Sequence, residues 1–487
     1  MIALGFNSIT SKGELVTINT RSISRSEIDY DPSASSSTSY AHVTGSGPGI
    51  CSFHPITSSF SHSASIKEIS SDVHEMSNAH YIIRFQNGTI TSMYDRRADR
   101  EVIPADAHAA QLVLYDDKPL YWQAWDVEVY HLDVRQELHA HQTYISERGP
   151  ARVALTTKTR ISEHSWVTTV IRLPAAVNEH PTPLTFDSEI EWREAKKFLK
   201  VEFPVDVHNT EAAYETQFGI VRRPTHYNTS WDMARFEVCC HRWADLSDAA
   251  YGVSVLNDCK YGFATQGNVM RLSLLRAPKA PDGHADMGRH RVRYALLPHA
   301  GPLDARTVRA ATAFNNPISL RTPNHALLAD SNSLETNETV LTPTTSASSS
   351  DSGAATCKDP ALRFDAPTLP LMSRHASPSS IAPLLGSLRM SADSAPGLVL
   401  DTIKRGEDDV DVSRGELAPR AGRSIIVRIY DALGGKCKGR LEVGLLPVKR
   451  ARVCNLLEDD GEELNMEKGA VRVELRAFEV LSIRLEL

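Results

Sequence analysis

Long apolar runs are scarce in this chain of 487 residues. None reaches the roughly 18 residues that a membrane-crossing helix needs, so no membrane span is expected. Charge of one sign is not gathered anywhere either. The formal net charge is −7 with acids and bases interspersed, which argues against nucleic acid or an anionic membrane as partner and for an ordinary soluble surface. Cysteine is sparse: Cys51, Cys239, Cys240, Cys259, Cys357, Cys437 and Cys454 are odd in number and contain no CxxC pair. That usage suits a reducing compartment better than a disulfide framework. The opening MIALGFNSITSKGELVTI carries neither a basic stretch nor an apolar run of signal-peptide length. A cytoplasmic location is expected, or a vacuolar one reached without a classical signal peptide. The nucleophile elbow G-x-S-x-G, the phosphate-cradling P-loop and the G-x-G-x-x-G fingerprint are all missing. The three Asn-x-Ser/Thr triplets at Asn87, Asn228 and Asn337 matter only if the protein is secreted.

What is plentiful is strand pattern. With 41% hydrophobic residues, the chain can bury a substantial core, and its length calls for two to four domains. In HYIIRFQNGTITSMYD two strand-like runs flank Asn87-Gly88, the preferred pair for a tight hairpin turn. AQLVLYD, WDVEVYHLDV, ARVALTTKTRI, WVTTVIRL, LTFDSEIEW and KFLKVEFPVDV follow at roughly 8–12-residue spacing, and helical patterns with caps are few. Regular short strands parted by turns predict a mostly β fold of sandwiches rather than a parallel α/β sheet. In the last run Leu481, Ile483, Leu485 and Leu487 alternate with Ser482, Arg484 and Glu486, the pattern of a half-buried strand.

Composition then divides the chain. Residues 1–60 form a leading β segment with a Ser-rich break at Ser33–Ser39 and a loop at Gly45–Gly49. Residues 61–328 hold the main run of strands. Residues 329–395 are rich in Ser, Thr, Ala and Pro, cannot bury enough apolar area to offset chain entropy, and read as a disordered insertion. Residues 396–487 return to strand pattern as a smaller sandwich.

Chemistry is concentrated in Phe236–His299, where aromatic and polar groups crowd between strands. Glycoside hydrolysis uses two carboxylates about 5–9 Å apart, and Asp245, Asp248, Asp258 and Asp286 are the local candidates. His139-Ala140-His141 and His284-x-Asp286-x-x-x-His290 resemble metal-ligand spacing but form no zinc signature. In Cys239-Cys240-His241 neighbouring side chains would point to opposite faces of a strand. Trp243, Tyr251, Tyr261 and Tyr294 could lie along sugar C–H surfaces while Asn257, Asp258, Arg271, Arg289 and His290 bond to vicinal hydroxyls. The alternative is that these aromatics are sandwich core and the polar groups strand-end turns.

The runs HRWADLSDAAYGVSVLNDCKYGFATQGNVMRLSLLRAPKAPD and ADMGRHRVRYALLPH resemble the C-terminal β region of glycoside hydrolase family 38, the class II α-mannosidases, most of all the cytosolic/vacuolar branch. QFGIVRRPTHYNTSWDMARFEVCCHRW, NGTITSMYDRRADREVI, LVLDTIKRGEDD, VRIYDALGG and FEVLSIRL continue the likeness, which covers about Ala79–Pro302 and Pro396–Leu487. The resemblance implies a large antiparallel, galactose mutarotase-like β-supersandwich followed by the small sandwich. It also implies a retaining exo-mannosidase with zinc or another divalent metal, whose nucleophile and metal ligands belong to an N-terminal domain preceding the matched region. No catalytic residue and no metal ligand is therefore carried onto this chain, and no cofactor is expected within it. By the same analogy Asn257, Asp258, Lys260, Tyr261, Arg289 and His290 are the substrate-proximal candidates. The expectation is a β portion that is inactive alone, partners a missing catalytic domain and α-mannosides, and shows a bare apolar patch with poor solubility or homo-oligomerisation. The rival expectation is a stand-alone carbohydrate-binding or scaffolding module.

Overall fold

Asn87 and Gly88 make the expected hairpin: Tyr81–Gln86 turns into Thr89–Asp95 with Gln86 opposite Thr89. Both turn residues have positive φ, 49° and 81°, which matches the twist of the flanking strands. This hairpin belongs to a five-stranded sheet between Ser65 and Glu101. The computed structural model describes residues 63–176, 182–316, 397–407, 424–443 and 448–487, plus the backbone of several short strands elsewhere. The Ser-rich break at 33–39, most of the loop at 45–49 and most of the 329–395 stretch lie outside the described residues.

Two larger sheets complete the supersandwich. The six-stranded sheet runs in the order Arg135–Leu138, Gln111–Asp116, Lys197–Pro204, Val269–Arg276, Gly262–Gln266, Val238–Cys239. The nine-stranded sheet runs Ala140–Arg148, Arg152–Arg160, Trp166–Pro174, Leu184–Trp192, Gly288–Ala300, Tyr251–Asn257, Trp243–Ser247, Glu211–Thr216, Gly219–Pro224. Pairing within both is antiparallel. One continuous apolar cluster fills the space between the sheets, with Phe85, Phe186, Trp192, Phe203 and Tyr214 among its large members.

Every residue of Tyr251–Asn257 is buried, because its strand is covered on both faces. Tyr251, Val253 and Val255 face the main core. Leu256 lies with Trp243, Ala295 and Leu297 against helix Ala305–Asn315 and against Val399, Tyr430 and Ala432 of the terminal sandwich. Asp304 caps that helix, its side chain accepting from the Arg306 amide.

The terminal sandwich pairs a four-stranded sheet with a five-stranded one over a core of Val427, Ile429, Leu441, Val471, Ile483 and Leu485. Its last strand, Val480–Glu486, departs from the half-buried expectation, since Ser482 and Arg484 are buried too. The strand lies in mid-sheet between Ser424–Asp431 and Arg450–Cys454. Arg484 is tolerated inside because it donates to Asp460 (2.8 Å), Ser424 (3.0 Å) and the Glu458 carbonyl.

Candidate functional site

Four connections cross between the two large sheets at one end of the supersandwich: 193–196, 240–242, 258–261 and 277–287. The registers Asp116↔Lys197 and Phe198↔Arg276 in one sheet, and Trp192↔Gly288 and Asn257↔Tyr294 in the other, put these crossings on the same side. All six residues expected near substrate lie at this end.

They do not act alike there. Asn257 is buried; its amide nitrogen donates to the His241 carbonyl (2.6 Å) and its oxygen accepts from the Lys260 amide (2.9 Å). Asp258 forks onto Arg293, accepting from the backbone amide (3.1 Å) and from Nε (2.7 Å). These two hold the crossing in shape. Lys260 and Tyr261 sit in the crossing itself, with Tyr261 exposed and tilted against the His241 ring at 5.1 Å. Arg289 pairs with Glu189 on the outer sheet face, and His290 Nε2 contacts the Asp286 carbonyl at 2.8 Å. Because Asn257 is opposite Tyr294, four residues along from His290, the two groups are separated by ~13 Å of strand.

Trp243, Tyr251 and Tyr294 are core, not sugar platforms. Each is at most 2% exposed, and Tyr294 stacks on Phe186 at 5.0 Å. Strand alternation turns Tyr251 and Tyr294 into the main core, and helix Ala305–Asn315 with the terminal sandwich covers Trp243 on the other face, leaving Tyr261 as the outward aromatic of that set. Arg271 is tied to Glu202 at 2.8 Å. The acids are similarly committed. Buried Asp245 accepts from Ser254 (2.6 Å) and contacts His299 Nε2 (2.8 Å). Asp248 caps a turn, and the amides of Ala250 and Tyr251 hold its carboxyl below the usual range. Asp286 occupies a left-handed turn at φ 58°. Cys239 is exposed and Cys240 buried, as alternation requires. No group of three or more His, Cys, Asp or Glu among the described residues could hold a metal ion. The donors here therefore do not fit the zinc that the family resemblance implies.

A feature the motifs did not single out dominates this end. Leu120, Tyr121, Trp122 and Trp125 are between 67% and 74% exposed, a contiguous apolar ledge of the kind that marks an interaction surface. Arg276 pins it. Its guanidinium forks onto Asp117 (2.8 and 3.0 Å) and donates to the carbonyls of Gln123 (3.1 Å) and Asp126 (2.7 Å). The next crossing is tied to the same ledge through the Lys279 amide and Gln123 Oε1 at 3.0 Å. The signal was present as LYWQAW, an apolar run that alternates with nothing.

The same sheet carries a polar network. Glu202 accepts from Tyr115 (2.6 Å), Arg135 (2.7 Å) and Arg271 (2.8 Å). Burial opposes its charge, yet these donors hold its carboxyl below the usual carboxylate range. Lys200 is fully buried and ion-paired with Glu237; burial pushes its ammonium below the usual lysine value, against the pull of that carboxylate. His131, also buried, lies against Tyr115, Phe198 and Phe236 and is lowered by burial and by Lys200.

Comparison with known proteins decides the family. The signature of the glycosyl hydrolases family 38 C-terminal domain matches residues 76–284, and that of the family 38 C-terminal beta sandwich domain matches residues 397–483. The chain belongs to glycosyl hydrolase family 38. It is 37% identical over 428 residues to an α-mannosidase of Saccharomyces cerevisiae, covering 83% of this chain and 34% of that protein. It is 36% identical over 405 residues to α-mannosidase 2C1 of Homo sapiens, covering 82% and 32%. The chain thus spans about a third of the length of the curated relatives it matches. An α-mannosidase structure from Enterococcus faecalis shares the fold at a TM-score of 0.59 and 14% identity, over 92% of this chain and 45% of that one. No helix among the described residues is long and apolar enough to cross a membrane.

Proposed function

We propose that this chain serves as the C-terminal β portion of an α-mannosidase that removes terminal α-mannose from oligosaccharides. Bond cleavage then depends on a catalytic region supplying the nucleophile, the acid and the divalent metal. The convergence of four crossings and the Arg276-pinned ledge at one end of the supersandwich carries this reading. In it, that end forms one wall of the mannose site, with Lys260, Tyr261, Arg289 and His290 offering side chains, and Asn257 and Asp258 fixing the backbone that presents them. The full enzyme would work by double displacement through a glycosyl-enzyme intermediate. The reading carries with it the cytosolic branch and a cytoplasmic location.

The purified chain is assayed with a chromogenic α-mannoside and added zinc. No turnover above a boiled control is expected, and co-expression with the N-terminal region of a relative should restore it. Metal-dependent turnover by the chain alone would overturn the dependence on a separate catalytic region.

A further inference from the structure

Among the described residues, the outer face of the nine-stranded sheet is covered only in part. Helix Ala305–Asn315 and the terminal sandwich lie over Trp243, Leu256, Ala295 and Leu297. Across the sheet, the strands from Ala140 to Trp192 carry charged and aromatic side chains on that face. Their rungs are regular. Arg160, Trp166, Glu191 and Arg289 sit directly opposite one another across four strands, and Lys158, Thr168, Glu189 and Arg291 form the next rung. Directly opposed residues share a face, so cation, indole, carboxylate and cation stand side by side.

A groove of about 360 Å³ opens here, lined by His141, Lys158, Arg160, Glu163, Trp166 and Thr168 together with Ser162. That volume falls in the roughly 300–1,000 Å³ range of small-ligand sites. Trp166 is 49% exposed although the sheet offers a core on its other face. An indole left half in water between charged neighbours presents an apolar plane ringed by donors and acceptors. A pyranose has the matching chemistry: a patch of C–H groups on one face and vicinal hydroxyls at its rim. Arg160 is braced for this role by its Nε bond to the Ser162 carbonyl (2.9 Å), while Lys158 Nζ lies over the Tyr144 ring at 5.9 Å.

We infer that the groove around Trp166 is a second carbohydrate-binding site, taking mannose units of the substrate away from the point of cleavage. The choice of mannose as the sugar rests on the function proposed above. Trp166 and Arg289 flank the strand of Glu191, two strand spacings or ~10 Å apart. One extended oligosaccharide can therefore run from the groove towards the crossing 277–287.

Calorimetric titration of the full chain with α-linked mannobiose and mannotriose tests this without any catalysis. Binding is expected for the unaltered chain, weakened about tenfold or more by Trp166→Ala, as for a truncated aromatic anchor. Trp166→Phe should stay within a few-fold, because the stacking plane remains. Leu457→Ala, an exposed apolar residue on the terminal sandwich, should leave it unchanged. If Trp166→Ala fails to fold, Arg160→Ala on the opposite strand is read in its place and is expected to weaken binding several-fold. Absence of heat with the unaltered chain, undiminished affinity in the groove variants, or loss through Leu457→Ala instead would each overturn the site. Hydrolysis by the isolated chain bears on the proposed division of labour and leaves this inference standing.

Discussion

Glu202 shows how a buried charge is kept ionised on this sheet. Three donors surround it, from Tyr115, Arg135 and Arg271. Its carboxyl gives up a proton more readily in the folded chain than at its usual value of 4.5. The stabilisation is thus fully present above about pH 4.5 and drains as pH falls through the lower folded value. Glu202→Gln should cost on the order of 2 kcal/mol at neutral pH, since charge-assisted bonds are lost and two guanidinium groups remain. It should also flatten the fall in stability between about pH 5 and pH 3. Urea midpoints across that range decide the matter, and an equally steep fall in the variant would remove Glu202 as its source. Lys200 and Arg484 follow the same rule with opposite charge, each buried only where a carboxylate or carbonyl meets it.

At the scale of elements, the Asn87-Gly88 turn fixes the register of its hairpin. Gly88 has φ 81°, and a Cβ placed there would come within 2.9 Å of the Ala140 Cβ. Gly88→Ala is expected to lower stability by at least about 2 kcal/mol, combining left-handed strain with displacement of the neighbouring strand. Chemical denaturation measures it directly, and a change of under half that size would mean the turn relaxes. This hairpin was legible in the sequence because its geometry is local. So were the run of strands and the small closing sandwich, which follow from period-two patterns and turn residues. What stayed hidden depends on partners distant in sequence. The aromatics Trp243, Tyr251 and Tyr294 gave no sign of which sheet face would receive them, and two are buried by the main core while Trp243 is buried by the terminal sandwich. The final strand looked half-buried because polar Ser482 and Arg484 alternate with leucine and isoleucine, and their own hydrogen bonds lie on other strands. The ledge at Leu120–Trp125 showed in the sequence only as the apolar run LYWQAW, since exposure of such a run is decided by the fold. The six expected substrate-proximal residues were chosen by family likeness; their shared end and the split of Asn257 and Asp258 from the rest depend on register and hydrogen bonds that no motif carries.

For the whole molecule, the ledge is a liability in isolation. Four large apolar side chains in six residues, each at least 67% exposed, favour association of copies in water. Sedimentation velocity at rising concentration is expected to show self-association. Replacing Tyr121 and Trp122 by serine should reduce it, because the patch loses its centre without touching Arg276 or Asp117. A concentration-independent monomer in the unaltered chain would count against the ledge as an interface.

The contact between the two sandwiches has a different implication. Tyr430 receives Arg242 (3.2 Å) and meets Phe218 ring-to-edge at 5.3 Å, while Val399 and Ala432 join Trp243, Val308 and Ala311. Arg242 is in turn clasped by Glu215. These contacts hold the halves together without using the peptide link between residues 316 and 397. The sheet that carries the crossings and the terminal sandwich therefore present one continuous apolar seam, so that loosening Arg242 or Tyr430 should disturb both sandwiches together.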